Sequence, residues 1–453
     1  MRIFPGGAVL GTTRESRTIG AMMTGHLIGS SGILRNRSLC EQAIRAAVSC
    51  GKKSLDLQNQ LRTQISPELA GFVTTVANLQ TRAVRKLQAP DAPPRVWWGT
   101  KKSFQQATPW QVAKLKSQWF ANEPVFDLCC GSGGDALQLM NRGPVIAVDA
   151  DPLIAELVAA NLGVDRVIES DAIDWPEDGF GMNPESQTPL KPRVVCNDVT
   201  RLQLPPNSWI NIDPDRRPDS RKTIAGSSRT SAPEHYQPDW PSVVELMGKS
   251  NGACVKLAPA ATPNMEQLPA AHRCWISLTG SVREQTLLCG GVLSNSELPV
   301  SGRSAAAVKS DGTTHWFIAN PELVTQRAPI ANRPMNWIID PDAAIRAAGL
   351  TEAYAVTNQL SVLGRASGFL TGANPPDCDQ MGGSAEVLWS GSCDDRKIRR
   401  ELRQRDFYPA VIKVRGTDHS PEKLTRKYRQ CGQQPICLWI GRGKERVFAA
   451  FTK

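Results

Sequence analysis

From residue 124 the chain alternates short apolar runs with longer amphipathic ones, and this most narrows what it can fold into. "PVFDLCC" precedes the helical pattern "GDALQLMNR", and "PVIAVDA" precedes "PLIAELVAANL". "DRVIESDA" and "SWINIDPD" continue the series, and the helical pattern "PSVVELMGKS" follows. "GACVKLAP", "RCWISLTG" and "THWFIAN" complete it. Strands alternating with helices bury their apolar faces best as a mostly parallel sheet with helices on both sides. The expected fold class is α/β, doubly wound, with ligands at the carboxyl ends of the strands.

The flanks follow other patterns. Residues 38–87 carry apolar positions at three- and four-residue spacing, which predicts helices. "QAPDAPPR" breaks them, and "TPWQVAKLKSQWF" predicts another helix with Thr108 as N-cap and Pro109 at its first position. The stretch 215–240 is polar, basic and rich in Pro and Ser, the composition of a long loop. The last sixty residues read as helix ("DRKIRRELRQR"), strand ("YPAVIKVRG"), helix ("PEKLTRKYRQC") and two strands ("PICLWIG", "RVFAAF"). The expected division is a flexible leader (1–37), a helical region (38–120), the α/β core (121–330), a connecting subdomain (331–378) and a small α+β domain (379–453).

At 453 residues the chain exceeds one ordinary core. Its 41% apolar and 21% charged content excludes a disordered polymer. No apolar run reaches the length of a membrane span, so no membrane partner is expected. The first residues lack the layout of a signal peptide, and Met22 or Met23 is an alternative start. The 12 cysteines form no C-x-x-C pair and no zinc spacing, which predicts no metal and a reducing, cytoplasmic setting. The net charge of +10 is uneven. Residues 1–93 carry 12 Lys/Arg and 5 Asp/Glu, residues 94–393 carry 25 and 31, and residues 394–453 carry 16 and 7. A slightly acidic centre with basic ends suits a chemical domain flanked by parts that hold a polyanion. Nothing in the sequence sets an oligomeric state.

The stretch "VFDLCCGSGGDALQL", residues 125–139, places a small-residue loop between a strand and a helix. Such a loop lets a ligand approach the backbone closely. Gly131, Gly133 and Ala136 match a dinucleotide spacing, but the acids argue for a different ligand. Asp127, on the strand before the loop, would repel a pyrophosphate, whereas a sulfonium and an ammonium favour a nearby carboxylate. Asp149 ends the second strand, 22 residues after Asp127, where it can accept both ribose hydroxyls. Asp171 ends the expected third strand, where it can accept from the adenine amine. The expected cofactor is S-adenosyl-L-methionine, bound by Asp127, Cys129, Gly131, Gly133, Asp149 with Ala150, and Asp171 with Ala172.

"DLCCGSGGD" and "AVDADPLIAELVAANL" resemble the first and second motifs of class I S-adenosylmethionine-dependent methyltransferases, with Cys129 in place of the usual first glycine. "NIDPDRR" stands where the amino methyltransferases of that class carry D/N-P-P-Y/F/W. There the acid and a backbone carbonyl orient the target amine, and an aromatic ring stacks on the base. Asp213 and Pro214 fit this motif and are the expected catalytic residues. Asp215 replaces the second proline, and Arg216 and Arg217 replace the ring, suiting a substrate phosphate or carboxylate. Tyr236 or Trp240 is a candidate for the missing ring. Lys256 is a candidate substrate contact, and Glu284 is a candidate to close the site.

Over roughly residues 90–453 the chain is similar to bacterial class I methyltransferases with a C-terminal THUMP-like domain. "KKSFQQATPWQVAKLKSQWF", "DPDRR", "RKIRRELRQRDFYPAVIKVRG" and "LWIGRGKERVFAAF" carry the likeness. It implies a Rossmann-like methyltransferase core and an RNA-binding tail. The implied activity is methylation of a base nitrogen in structured RNA (tRNA or rRNA). Arg399 and Arg400, beside Arg396 and Arg403 on one broad helix face, are the expected RNA contacts, with Lys423, Arg426 and Lys427 on the next helix. Two alternatives stay open: methylation of a protein or small molecule, and an RNA-binding protein that keeps the cofactor fold with weak turnover.

Overall fold

The computed structural model describes residues 32–51, 54–171, 191–216, 231–365, 367–376 and 379–453. The leader therefore lies largely outside the described residues, as do Ala172 and Arg217. The chain divides into two compact units: residues 1–117 with 121–208, and residues 118–120 with 209–453.

In the first unit three helices, Arg37–Cys50, Ser54–Leu61 and Pro67–Leu87, form the N-terminal layer. Ser66 caps the longest by accepting from Leu69 N, and Pro67 sits in its first turn. Their apolar faces (Ile44, Leu57, Leu61, Val73 and Val76) pack together with Leu157 and Ala160 of the helix Pro152–Leu162. The strands of this unit are β1 (Val125–Leu128), β2 (Val145–Asp149) and β3 (Arg193–Cys196), all parallel, with β2 between the other two. The expected third strand, "DRVIESDA", is a correction. Among its described residues only Ile168 pairs, in a single bridge to Val195, and Arg193–Cys196 lies beside β2 instead. Val194 and Val195 are fully buried, whereas Glu169 is exposed, so burial selects the later segment.

The second unit contains β4 (Trp209–Ile212), β5 (Gly252–Leu257), β6 (His272–Leu278), β7 (Ser281–Gly290), β8 (Arg303–Val308) and β9 (Thr314–Ala319). β4 pairs β5 and β6 pairs β8 in parallel, but β7 runs antiparallel between β5 and β6. The sheet here is mixed, not mostly parallel. The reason is local. Thr279 and Gly280 both have positive φ (50° and 77°), the conformation of a tight hairpin turn that sends the chain straight back.

A second sheet holds β10 (Trp337–Pro341), β11 (Ser361–Val362), β12 (Leu370–Gly372), β13 (Gly382–Ser392), β14 (Phe407–Arg415), β15 (Gln434–Arg442) and β16 (Val447–Thr452). Its order is β11-β12-β10-β13-β16-β15-β14. β10–β12 and β13–β16 thus share one sheet. The helices Asp395–Gln404 and Pro421–Tyr428 bury Ile398, Leu402 and Leu424 against its C-terminal strands. Among the described residues no helix is long and apolar enough to cross a membrane, and no cluster could hold a metal ion.

His272, fully buried on β6, shows what such packing does to a titratable group. Its Nδ1 lies 2.7 Å from the Pro299 carbonyl and its Nε2 2.8 Å from Ser304 Oγ, so Nδ1 donates and Nε2 accepts in the neutral ring. Burial lowers its pKa from 6.5 to about 4. The unfolded chain binds the proton first as pH falls, so this stability is present above pH 6.5 and lost toward pH 4. Wild type should lose about 3 kcal/mol more than His272→Gln across that window, measured by chemical denaturation. Equal losses would contradict this account.

Candidate active site

In the first unit the candidate residues gather at the loop after β1. Asp127 is almost fully buried within that strand. Cys129, Gly131 and Gly133 all have positive φ (58°, 55° and 77°). Cys129 thus occupies a left-handed conformation that costs a side-chain-bearing residue roughly 1–2 kcal/mol. The turn is closed by Cys130 N donating to Val148 O (3.0 Å) and Gly133 N donating to Cys130 O (2.9 Å). The two glycines do different work. A Cβ on Gly133 would meet Val158 Cγ2 at 2.6 Å, whereas a Cβ on Gly131 would meet nothing within 4 Å. Gly133 packs the loop on its neighbouring helix; Gly131 leaves bare backbone facing open space, where a ligand can approach.

Asp149 is locked to that loop. Its Oδ2 accepts from Gly131 N (3.0 Å) and its Oδ1 from Asp151 N (3.1 Å). Ala150 follows, exposed. The next link is Asn197, just past β3, which sequence reasoning missed. Its backbone N donates to Asp149 O (3.1 Å), and its side-chain amide donates to Ser170 O (2.7 Å) and Asp171 Oδ1 (3.0 Å). Asn197 thus ties the second and third acids together. "VVCND" carried the signal, because it repeats the apolar-run-then-polar form of "VIAVDA".

Two buried contacts hold the loop from beneath. Lys116 Nζ lies 2.9 Å from Asp135 Oδ1, with side chains only 2% and 9% exposed, and Thr108 Oγ donates to Asp135 Oδ2 at 2.7 Å. Asn161 exchanges hydrogen bonds with the Trp98 backbone (2.7 and 2.8 Å) and donates to Ser132 O (3.0 Å). The local field is negative. Desolvation first, then Asp149 and Asp127, pushes the Cys130 thiol well above its ordinary range. Such a field disfavours a pyrophosphate and favours a cationic ligand. The bare backbone at Gly131 and the fixed acids fit S-adenosylmethionine.

A separate set of candidate residues lies in the other unit. Asp213 follows β4, half-buried, and Pro214 is buried behind it. Asp213 Oδ2 lies 2.6 Å from Lys256 Nζ, and Glu284 Oε2 lies 4.0 Å from the same nitrogen. Backbone bonds between Asp215 and Gln237 (2.8 and 3.0 Å) pin the following turn. Arg216 is half-buried. Neither candidate ring is offered to a ligand. Tyr236 and Trp240 are each 4% exposed. The Tyr236 hydroxyl accepts from Ala258 N (3.1 Å), and Trp240 Nε1 donates to Gln267 Oε1 (3.0 Å).

On the C-terminal helices the basic residues differ in what they touch. Arg399 pairs with Asp395 (3.3 Å), donates to Lys427 O (3.2 Å) and lies over the Tyr428 ring. It ties the two helices together. Arg400 contacts Glu401 at 3.0 Å with its side chain 70% exposed, and Arg396 and Arg403 are exposed.

No family model matches the chain. It is 26% identical over 384 residues to a Mycobacterium tuberculosis protein named an uncharacterized S-adenosylmethionine-dependent methyltransferase. This relative is found in strains CDC 1551 and H37Rv, and the match spans 82% of this chain and 93% of the relative. A crystal structure from Porphyromonas gingivalis W83, assigned as a methyltransferase, superposes with a TM-score of 0.67 at 18% identity. That superposition covers 92% of this chain and 98% of the other. The likeness shows a shared Rossmann-like α/β fold.

The two glycines should separate on substitution. Gly131→Ala should destabilise by only roughly 1 kcal/mol yet weaken S-adenosylhomocysteine binding about tenfold or more, because its methyl fills the ligand's approach. Gly133→Ala should cost roughly 2–3 kcal/mol of stability through the Val158 clash and its φ. Calorimetric titration and thermal unfolding read both. Wild-type affinity in Gly131→Ala would remove the loop from the cofactor site.

Proposed function

We propose that this protein transfers a methyl group from S-adenosylmethionine to a base nitrogen of a structured RNA, tRNA or rRNA. By its relatives and its fold it is an S-adenosylmethionine-dependent methyltransferase. When bound, the cofactor supplies the methyl: the carbon bonds to the acceptor nitrogen as the C–S bond breaks and leaves its electron pair on sulfur. The chain's own residues have a different task. Asp149 would accept from the ribose hydroxyls, and Asp171, held by Asn197, would accept from the adenine amine. Asp213 would accept a hydrogen bond from the target amine and receive the proton that the methylated nitrogen sheds. Positioning of this kind supplies much of the rate in an in-line displacement.

One observation carries the acceptor side. Asp213 follows β4 half-buried, and among the described residues only one of its oxygens is taken by a protein hydrogen bond. The other is available to an amine. The choice of RNA rests on the basic tail, which we read as a THUMP-like docking domain within residues 379–453. On it Arg396, Arg400 and Arg403 are exposed on one helix, and Lys423, Arg426 and Lys427 on the next. Exposed cations at that density bind a phosphate backbone and make affinity fall with salt. Lys427 is partly engaged with Asp395 at 2.9 Å, and Arg399 serves the helix pair, so the outer arginines are the better contacts.

Arg396→Glu/Arg400→Glu/Arg403→Glu should weaken binding of bulk tRNA about tenfold or more at low salt. It should also make the plot of log affinity against log salt shallower by about two to three. Cofactor affinity, titrated in parallel, should not move. RNA binding with unchanged affinity and slope would take these helices out of the docking surface.

A further inference from the structure

We propose that Lys256 is a positioning residue for methyl transfer. From within the sheet it holds one oxygen of the Asp213 carboxylate, so that the other is aimed at the acceptor amine. This rests on Asp213 as the group that receives that amine.

The sheet topology brings the three charges together. β4 and β5 are parallel, so Asp213, just past Ile212, and Lys256, one residue before the end of β5, lie at the same edge. β7 runs antiparallel to β5, with Lys256 opposite Thr286 and Leu257 opposite Gln285. Glu284, two residues before Thr286, therefore shares a face with Thr286 and lies diagonally across from Lys256. The hairpin turn at Thr279–Gly280 that reverses β7 is thus what delivers Glu284 to this edge.

The contacts are graded. Lys256 Nζ stands 2.6 Å from Asp213 Oδ2 and 4.0 Å from Glu284 Oε2, and Glu284 Oε1 accepts from Thr286 Oγ at 3.2 Å. The Lys256 and Glu284 side chains are 5% and 1% exposed, whereas Asp213 is 26% exposed. Only the outermost member of the cluster reaches solvent. A lysine this deep is poorly placed to touch a bulky substrate. It is well placed to fix the rotamer of a carboxylate that does. A point-like ammonium buried between two acids keeps its place, as its own rotamer freedom is already lost.

The test compares Lys256→Met, Lys256→Arg, the charge-balanced double variant Lys256→Met/Glu284→Gln, and Asp213→Ala. Labelled S-adenosylmethionine is the donor, and total RNA from a host strain lacking the gene is the acceptor. Lys256→Met and the double variant should lose kcat by about a hundredfold, with KM and S-adenosylhomocysteine affinity within about threefold. Lys256→Arg should recover most of that loss. A crystal structure of the double variant should show the Asp213 carboxylate displaced by about 1 Å or more. An unmoved Asp213, or kcat retained in the double variant while Asp213→Ala is inactive, would overturn the role of Lys256. Retained kcat in Asp213→Ala would instead overturn the reading it rests on.

Discussion

The cofactor loop depends on a buried ion pair. Lys116 and Asp135, 2.9 Å apart and nearly inaccessible, join the helix Trp110–Ser117 to the helix Gly134–Met140 that opens directly from the loop. Breaking a buried ion pair of this kind costs about 3–5 kcal/mol. Thr108 satisfies the second oxygen of Asp135. A Cβ on Gly134 would strike the Thr108 carbonyl at 2.9 Å, so only glycine allows the segment before the helix to come this close. The segment Thr108–Ser117 is therefore what the loop is built on.

From that fixed base the acids are set in sequence by backbone bonds. Gly131 N and Asp151 N orient Asp149, Asp149 O receives Asn197, and Asn197 reaches Asp171. Each acid is placed by main-chain or amide donors, so its orientation does not rely on a flexible partner. In the other unit the logic differs. Asp213 is placed by a cation, Lys256, which is itself bracketed by Glu284. The first arrangement suits hydroxyls and an amine that only need acceptors. The second suits a carboxylate that must hold one orientation toward an amine.

How much of this could be read in advance varies with the physics of each residue. The loop glycines and Asp149 were legible because a left-handed turn and a strand-end carboxylate leave strong local marks. The C-terminal helices and strands were legible from periodicity alone. The third strand was not, because "DRVIESDA" and "RVVCND" carry similar apolar content, and which one pairs with β2 is decided by long-range burial. The antiparallel course of β7 was hidden because Thr279 gives no sign of the positive φ it adopts. Tyr236 and Trp240 were sought as stacking rings, but their composition could not reveal that packing takes both into the core. Likewise Arg399 and Arg400 are adjacent and identical in sequence, and only the fold shows one tying helices together and the other largely exposed.

The central claim is that methyl groups pass from S-adenosylmethionine to RNA. The most direct test incubates the purified protein with tritium-labelled cofactor and a lysate of a host strain lacking the gene, then separates RNA from protein. The account predicts label in RNA of one size class, released by ribonuclease and not by protease. Label confined to the protein fraction would contradict it.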